Sequence, residues 1–286
     1  MIDLHVHTKA SDGEKRPEEL IDLAISKNIK AIAITDHDTV DGLEAAVNYS
    51  KDKDILVIPG IELEVTTKIG QMHILGLFID YNNKEFKQEL LNIKQARENR
   101  NNKIIEELNK MGFEISLEEL QEVSGGKTIG KPHFAKVFLN KNYIKTKEEM
   151  FDKYFNKPPL SELKKASYTA QEIIGMIKKA NGIAILAHPQ NLKLDDEDLV
   201  EKIKELKEYG LDGMECYHSE QTKEEMIKFE KIAKELNLVI TKGTDYHGPM
   251  IKSKIELDTG IQNNLIVDNE SVILEKLLKY IKKEQI

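Results

Sequence analysis

The sequence predicts an α/β barrel interrupted by a helical insertion. Three observations predict it. Short apolar strands alternate with helical stretches up to about residue 81 and again from about residue 167, the pattern of βαβ units. Between them lies a stretch with helical character only. Histidines and acids gather just after the strands, where a barrel enzyme carries its site. A doubly wound open sheet is the competing architecture.

The elements follow in order. Ile2 to Val6 alternate apolar and polar residues and read as a strand. Side chains two apart on a strand point the same way, so His5 and His7 project together. Asp12 follows in a loop closed by Gly13. Residues 17–27 form a helix with Pro17 in its first turn. Residues 30–35 form a buried strand with Asp36-His37-Asp38 at its end. A helix over 41–50 leads to a strand over 55–58, with Glu62 just beyond Pro59-Gly60. Residues 72–79 form a strand containing His73.

A long polar helix is expected over 84–111 and shorter helical stretches to about 165. Gly125-Gly126 and Pro158-Pro159 punctuate them. Strands are then expected over 182–187, 211–216 and 238–241, with helices over 169–180, 197–209, 220–236 and 271–283. His188, His218, Asp245 and His247 fall at or after the strand ends. The expected boundaries are 1–81 and 167–286 for the barrel and 82–166 for the insertion, a substrate cap.

Composition excludes some functions. The chain has 286 residues, is 32% charged and carries a net charge of −8. A general duplex nucleic-acid binder would need a basic face, so no such surface is expected. A small anionic substrate held by a local cluster of cations remains compatible. The single cysteine, Cys216, allows no intrachain disulfide and points to a reducing compartment. No run is apolar enough to span a bilayer and no leader-like segment opens the chain. A cytoplasmic location is expected.

Nine candidate ligands stand at strand ends: His5, His7, Asp12, His37, Glu62, His73, His188, Asp245 and His247. The first pair alone could be two structural histidines, since two ligands do not make a site. Nine such residues together, buried without a cation, would leave charges and polar groups unpaired. Imidazole and carboxylate without thiolate suit manganese, iron, zinc or magnesium. Two or three divalent ions are expected, manganese being favoured.

The blocks D-L-H-V-H-T-x2-S-D-G, I-T-D-H-D, G-I-E-L, M-H-I-L-G, A-H-P and G-T-D-Y-H-G resemble those of the polymerase-and-histidinol-phosphatase (PHP) phosphoesterases. They run in order from residue 3 to 248. The insertion, with its R-E-N-R and K-P-H segments, looks most like that of the stand-alone enzymes acting on nucleoside monophosphates and 3′,5′-bisphosphates, relatives of a 5′-to-3′ exoribonuclease. The resemblance implies a distorted seven-stranded barrel and a trinuclear centre. It assigns His5, His7, Glu62 and Asp245 to one metal. Glu62, bridging, would hold a second with His73 and His188. Asp12, His37 and His247 would hold a third. Three divalent ions against three carboxylates leave a positive balance that suits a phosphomonoester dianion. A metal-bridging hydroxide would attack phosphorus, with Asp12, His37, Glu62 and His133 counted as catalytic.

Only three of the 42 Lys and Arg residues are arginines: Arg16, Arg97 and Arg100. Arg97 and Arg100 share a helix face, and an arginine fork binds phosphate bidentately. They are read as a substrate clamp rather than a solvated face. The resemblance implies that His133 reaches the phosphate or the leaving group, and it adds Lys131, where the family often has arginine. His218 is read as a substrate contact, with support of a neighbouring ligand or a plain structural role as the alternatives. Asp36 and Asp38 are read as supports for neighbouring ligands, Arg16 as surface, and Cys216 as a small buried hydrophobe.

The function expected is metal-dependent hydrolysis of phosphomonoesters of small nucleotides, 3′,5′-nucleoside bisphosphates and AMP-like 5′-nucleotides. The rivals are a 5′–3′ exonuclease on short RNA or DNA, a histidinol-phosphate phosphatase, and a catalytically inactive regulatory barrel. The last should have lost ligands, and all nine are present.

Overall fold

The computed structural model describes residues 1–124, 129–163, 168–267 and 270–284. Gly125-Gly126 and the expected end of the insertion at Ala166 lie outside these residues. Among the described residues no helix is long and apolar enough to cross a membrane.

Seven strands lie in chain order in a single sheet: β1 (Ile2–Val6), β2 (Ala31–Ile34), β3 (Leu56–Val65), β4 (Met72–Leu77), β5 (Ile183–Leu186), β6 (Gly213–His218) and β7 (Val239–Gly243). The sheet nearly closes on itself. Past the end of β7, Asp245 N–H donates to His5 O at 2.8 Å and His7 N–H donates to Tyr246 O at 2.9 Å. Gly243 makes that closure possible, because a Cβ there would meet His5 Cβ at 2.2 Å. The helices of this unit are α1 (Pro17–Ser26), α2 (Leu43–Ser50) and, beyond the insertion, α7 (Ala170–Lys179), α8 (Asp196–Glu208), α9 (Lys223–Glu235) and α10 (Glu270–Glu284). One apolar cluster runs through Ile2, Ala31, Ile58, Leu75 and Ile185 and takes in Leu277 and Ile281 of α10.

Two sequence expectations change. The strand read as ending at Ile58 continues through Pro59-Gly60 to Val65, so Glu62 lies within it. Pro59 pairs with Ile34, the last residue of β2, at the end of that ladder. Gly60 lets the strand pass close under its neighbour, since a Cβ there would sit 2.9 Å from Ile34 O. In addition, β4 runs antiparallel to both β3 and β5, while all other pairs are parallel. Only residues 66–71 separate β3 from β4, which is too short for a parallel crossover. A hairpin is the only connection of that length.

The chain divides into two compact units, residues 1–89 with 168–286, and residues 90–167. The boundary falls inside α3 (Lys84–Lys110) rather than at residue 82, because Phe86 near the start of that helix is buried and belongs to the barrel unit. The second unit contains the rest of α3, then α4 (Leu117–Ser124), α5 (Lys131–Asn140) and α6 (Lys147–Met150). It has its own core of Ile104, Leu108, Leu120, Phe134, Phe138 and Phe155.

Lys242 of β7 is fully buried and pairs with Asp258 at 2.9 Å and Glu270 at 2.6 Å. Glu270 also accepts from Ile2 N–H at 2.9 Å. The cluster ties the start of α10 to β1 and β7. Removing the cation of a buried pair strands its partners and costs about 3–5 kcal/mol. Lys242→Ala should therefore lose roughly that much stability in urea melts. A loss under 1 kcal/mol would show that the cluster is solvated in solution.

Candidate metal centre

The centre is built on Glu62, whose carboxylate is 1% exposed. Five imidazoles surround it. Its Oε2 lies 3.2 Å from His5 Nε2, 3.2 Å from His7 Nε2 and 3.1 Å from His37 Nδ1. Its Oε1 lies 2.7 Å from His73 Nδ1 and 2.9 Å from His188 Nε2. The antiparallel run of β4 delivers His73: it pairs with Glu64 across the hairpin, diagonally beside Glu62 on one face.

The loops that carry the other candidates are held by buried acids. Asp36 accepts from Thr8 N–H at 2.8 Å, Thr8 Oγ1 at 2.6 Å and Ser11 Oγ at 2.6 Å, which fixes the turn bearing Asp12. Asp3 accepts from Thr244 N–H at 2.9 Å, Thr244 Oγ1 at 2.6 Å and Asp258 N–H at 2.9 Å, which fixes the approach to Asp245. Burial pushes the Asp3 carboxyl up to about 6, against the pull of those bonds from Thr244 and Asp258. Glu215 accepts from His5 Nδ1 at 3.0 Å and from His188 N–H at 2.8 Å. Asp245 and His188 adopt φ of +57° and +28°, a region that costs non-glycine residues on the order of 1–3 kcal/mol. The backbone bond from Asp245 to His5 and the Glu215 bond to His188 hold them there.

Four atoms converge on one point: His5 Nε2, His7 Nε2, Glu62 Oε2 and Asp245 Oδ1 lie 3.1–3.6 Å apart across the imidazole–carboxylate pairs. None makes a hydrogen bond among the described residues. Ligand atoms about 2.1 Å from one cation stand roughly 3.0–3.4 Å from each other in octahedral or tetrahedral arrangements. The spacing thus fits a shared cation. A second grouping joins Asp12 to His247 at 3.2 Å, His7 at 3.6 Å and His37 at 3.9 Å. A third joins His37, Glu62 and His73. His37 faces both Glu62, through Nδ1, and Asp12, through Nε2. His247 donates Nδ1–H to Asp245 O at 2.8 Å, which leaves its Nε2 lone pair toward Asp12.

The electrostatics follow from burial and crowding. Burial alone would lower His5, but Glu215, Glu62 and Asp245 carry it well above the usual imidazole range. Burial opposes His7 in the same way, and the Asp245 and Glu62 carboxylates carry it up to about 10. Burial pushes His37 down to about 3, helped by the positive charge of His7. Burial would raise Glu62 and Asp245, yet surrounding histidines hold both well below the carboxylate range, with Lys252 also acting on Asp245. The centre holds ionised carboxylates whose charge is met by protons on imidazoles. A divalent cation would supply the same charge.

All nine strand-end candidates therefore lie in one connected cluster. His218 joins them, fully buried, with Nε2 3.9 Å from Asp245 Oδ2. Arg16 is a surface residue paired with Glu19 at 3.2 Å, and Cys216 is buried. In the second unit, Arg97 is half-buried and Arg100 is buried, with Nη2 donating to Asn101 Oδ1 at 3.1 Å. A solvated helix face does not describe Arg100. Lys131 lies over the Phe155 ring, 5.0 Å from its centroid. His133 Nδ1 accepts from Gly130 N–H at 2.9 Å.

Sequence reasoning missed Glu215, Lys252, Asp3 and Lys242. Lys252 Nζ pairs with Asp245 Oδ2. Glu215 and Lys242 each interrupt an otherwise uncharged buried strand, a signal that was available because such residues are rarely buried unpaired. Lys252 sits in an irregular loop and left no comparable signal.

A nearly closed α/β sheet whose rim crowds histidines around a buried acid is the frame of a metal-dependent phosphoesterase. The chain belongs to the PHP family: the PHP domain model matches residues 3–282. It is 29% identical over 247 residues to a 5′-3′ exoribonuclease of Haemophilus influenzae, covering 86% of this chain and 90% of that one. It is 26% identical over 249 residues to a 3′,5′-nucleoside bisphosphate phosphatase of Chromobacterium violaceum, covering 87% of each. A crystal structure from Bifidobacterium adolescentis, assigned as a metal-dependent phosphoesterase, superimposes with a TM-score of 0.75 at 27% identity, covering 97% of this chain and 95% of that one.

The raised His5 and His7 carry protons at neutral pH in the metal-free protein, and a cation must expel them. Their pairing with the carboxylates is fully present below the ordinary imidazole value and is lost, for His7, only as pH rises through about 10. Affinity for manganese should therefore climb with pH between 6 and 8, about tenfold per pH unit for each proton displaced. Calorimetry in buffers of different ionisation enthalpy should count at least one proton released per ion. Zero release at pH 7 would contradict the protonated cluster.

Proposed function

We propose that this protein is a phosphatase for small nucleotides, with 3′,5′-nucleoside bisphosphates preferred and AMP-like 5′-nucleotides also hydrolysed. The carrying observation is the Glu62 cluster: one buried carboxylate within 3.2 Å of five imidazole nitrogens. His5, His7, Glu62 and Asp245 would hold one divalent ion, Glu62, His73 and His188 a second, and Asp12, His37 and His247 a third. Manganese is favoured among oxygen- and nitrogen-seeking ions. When bound, such ions acidify water and neutralise the phosphoryl oxygens.

The remaining roles belong to the chain. Glu62 is shared between two groupings and would lend its charge to both. Glu215 and the Asp245 carbonyl take the Nδ1–H of His5 and His247 and leave Nε2 facing inward, the nitrogen each ring would turn to a cation. Arg97, Arg100, Lys131 and His133 are assigned to substrate recognition. His133 accepts a backbone N–H at Nδ1, so its Nε2 carries the proton and donates a hydrogen bond to phosphate. A second proton at Nδ1 would face the Gly130 N–H, so protonation of the leaving alkoxide is assigned to water. The nucleotide part of the reading is supported by the buried Arg100 and by relatives named for bisphosphate and RNA hydrolysis.

A phosphate-release screen with added manganese should rank a 3′,5′-bisphosphate above AMP, and both above histidinol phosphate and short oligonucleotides. Oligonucleotides at the head of that ranking would favour the exonuclease.

Glu62→Gln should retain the fold and abolish turnover, because it removes the charge shared by two sites. Wild-type rates with excess metal would show that the bridge is misplaced. Arg100→Ala removes a charged contact that contributes on the order of 1.5–3 kcal/mol, or about ten- to a hundredfold in kcat/KM for the bisphosphate. An aryl phosphate should lose much less. Equal losses on both substrates would leave the arginine without a role in selectivity.

A further inference from the structure

His218 is the one histidine of the barrel rim outside the nine candidate ligands. It has the burial and position of a ligand, since its ring is fully buried and groups with His5 and Glu215, and separately with Glu220 and Asp245. Its Nε2 makes no hydrogen bond among the described residues. Read by proximity alone, it would be another ligand.

The hydrogen bonds around the ring exclude that role. Glu220 N–H donates to His218 Nδ1 at 3.1 Å. A backbone amide can only donate, so Nδ1 must present its lone pair. A second partner agrees, and its orientation can be traced from a backbone donor. His218 N–H donates to Gln221 Oε1 at 3.0 Å, which places the Gln221 amide nitrogen on the other side. That nitrogen donates to Gln190 Oε1 at 2.9 Å and faces Glu215 O at 3.3 Å. The Gln190 nitrogen is then left to face His218 Nδ1, at 3.2 Å. Both groups at Nδ1 are donors. The ring proton is therefore on Nε2, pointing into the centre.

This is the opposite tautomer to that of His5 and His247. In those rings Nδ1 donates to Glu215 and to the Asp245 carbonyl, so in their neutral form the lone pair is on Nε2 and faces inward. A cation needs a lone pair, and an anionic oxygen needs a donor. The rim offers both, sorted by what each Nδ1 touches. Asp245 Oδ2 stands 3.9 Å from His218 Nε2, beyond hydrogen-bond distance, and is already paired with Lys252. A buried donor without an acceptor costs about 1–3 kcal/mol, a cost removed when an oxygen arrives.

We propose that His218 is a catalytic residue of the hydrolase. It binds no metal; its Nε2–H donates a hydrogen bond to a nonbridging oxygen of the substrate's phosphoryl group and strengthens as that oxygen gains charge. Gln190, Gln221 and the Glu220 backbone are positioning groups that lock the tautomer. The inference rests on the phosphoesterase reading given above, but its first test does not.

That test is nitrogen-15 NMR of the metal-free protein. His218 should show a protonated Nε2 and an unprotonated Nδ1, and the reverse tautomer would overturn the proposal. Two substitutions then separate the roles. His218→Asn keeps an acceptor near the Nδ1 position and loses the inward donor. His218→Gln can return an N–H near the Nε2 position. With p-nitrophenyl phosphate as substrate, His218→Asn should lower kcat about ten- to a hundredfold, the loss of one charge-assisted bond. Its bound manganese, counted by elemental analysis, should match wild type, and vanadate should bind correspondingly more weakly. His218→Gln should recover part of the rate. A missing or weakened metal in both variants would make His218 a ligand. Unchanged kcat and vanadate affinity, with only a lower melting temperature, would make it structural. If wild type hydrolyses no aryl phosphate at all, the phosphoesterase reading fails while the tautomer result still stands.

Discussion

The structure depends on a buried negative charge. Glu62 is withdrawn from water in the middle of the rim, and an ionised carboxylate there is tolerated only if cationic charge surrounds it. Five imidazoles crowd it, drawn from β1 and the turn after it, the end of β2, β4 and the end of β5, and the raised His5, His7 and His73 among them supply that charge. Segments distant in the chain are obliged to meet because each carries part of the compensation. The same crowding makes the centre a receptor for divalent cations, since protons shared among imidazoles are a poor substitute for a fixed charge.

Around that centre, a ring of buried acids does the mechanical work. Asp3, Asp36 and Glu215 spend their oxygens on backbone amides, hydroxyls and one imidazole nitrogen. Each orders a loop or ring that bears a candidate ligand. Such second-layer partners set ring orientation and tautomer, and with them the affinity of a metal site. The positive φ values of His188 and Asp245 are sustained by this layer, because two strained residues would relax if the bonds holding them were absent.

Much of this was legible in the residue order. Short apolar strands with polar termini announced the barrel, and His5, His7, His37, His188, Asp245 and His247 announced its active rim. What was hidden had physical reasons. Pro59-Gly60 looks like a strand terminator, and only the end of β2 beside it explains why the strand continues. The reversal of β4 depends on a connection too short for a helix, a matter of length rather than composition. Glu215 and Lys242 were passed over because each acquires meaning only from a partner more than 15 residues away, His5 for one and Asp258 for the other. The tautomer of His218 is set by two glutamines and a backbone amide, which no spacing rule anticipates.

The β3–β4 hairpin carries one further implication. Side chains alternate faces along a strand, so a register slip of one residue would replace His73 at the rim with Met72 or Ile74. In most hairpins such a slip is opposed only by packing and turn geometry. Here it would also remove an imidazole from Glu62 and leave the buried charge undercompensated. Changes in the length of the linker over residues 66–71 must therefore preserve the frame of the ladder. The hairpin is a ruler for the chemistry, and natural variation in this loop should come in increments that leave its reading unchanged.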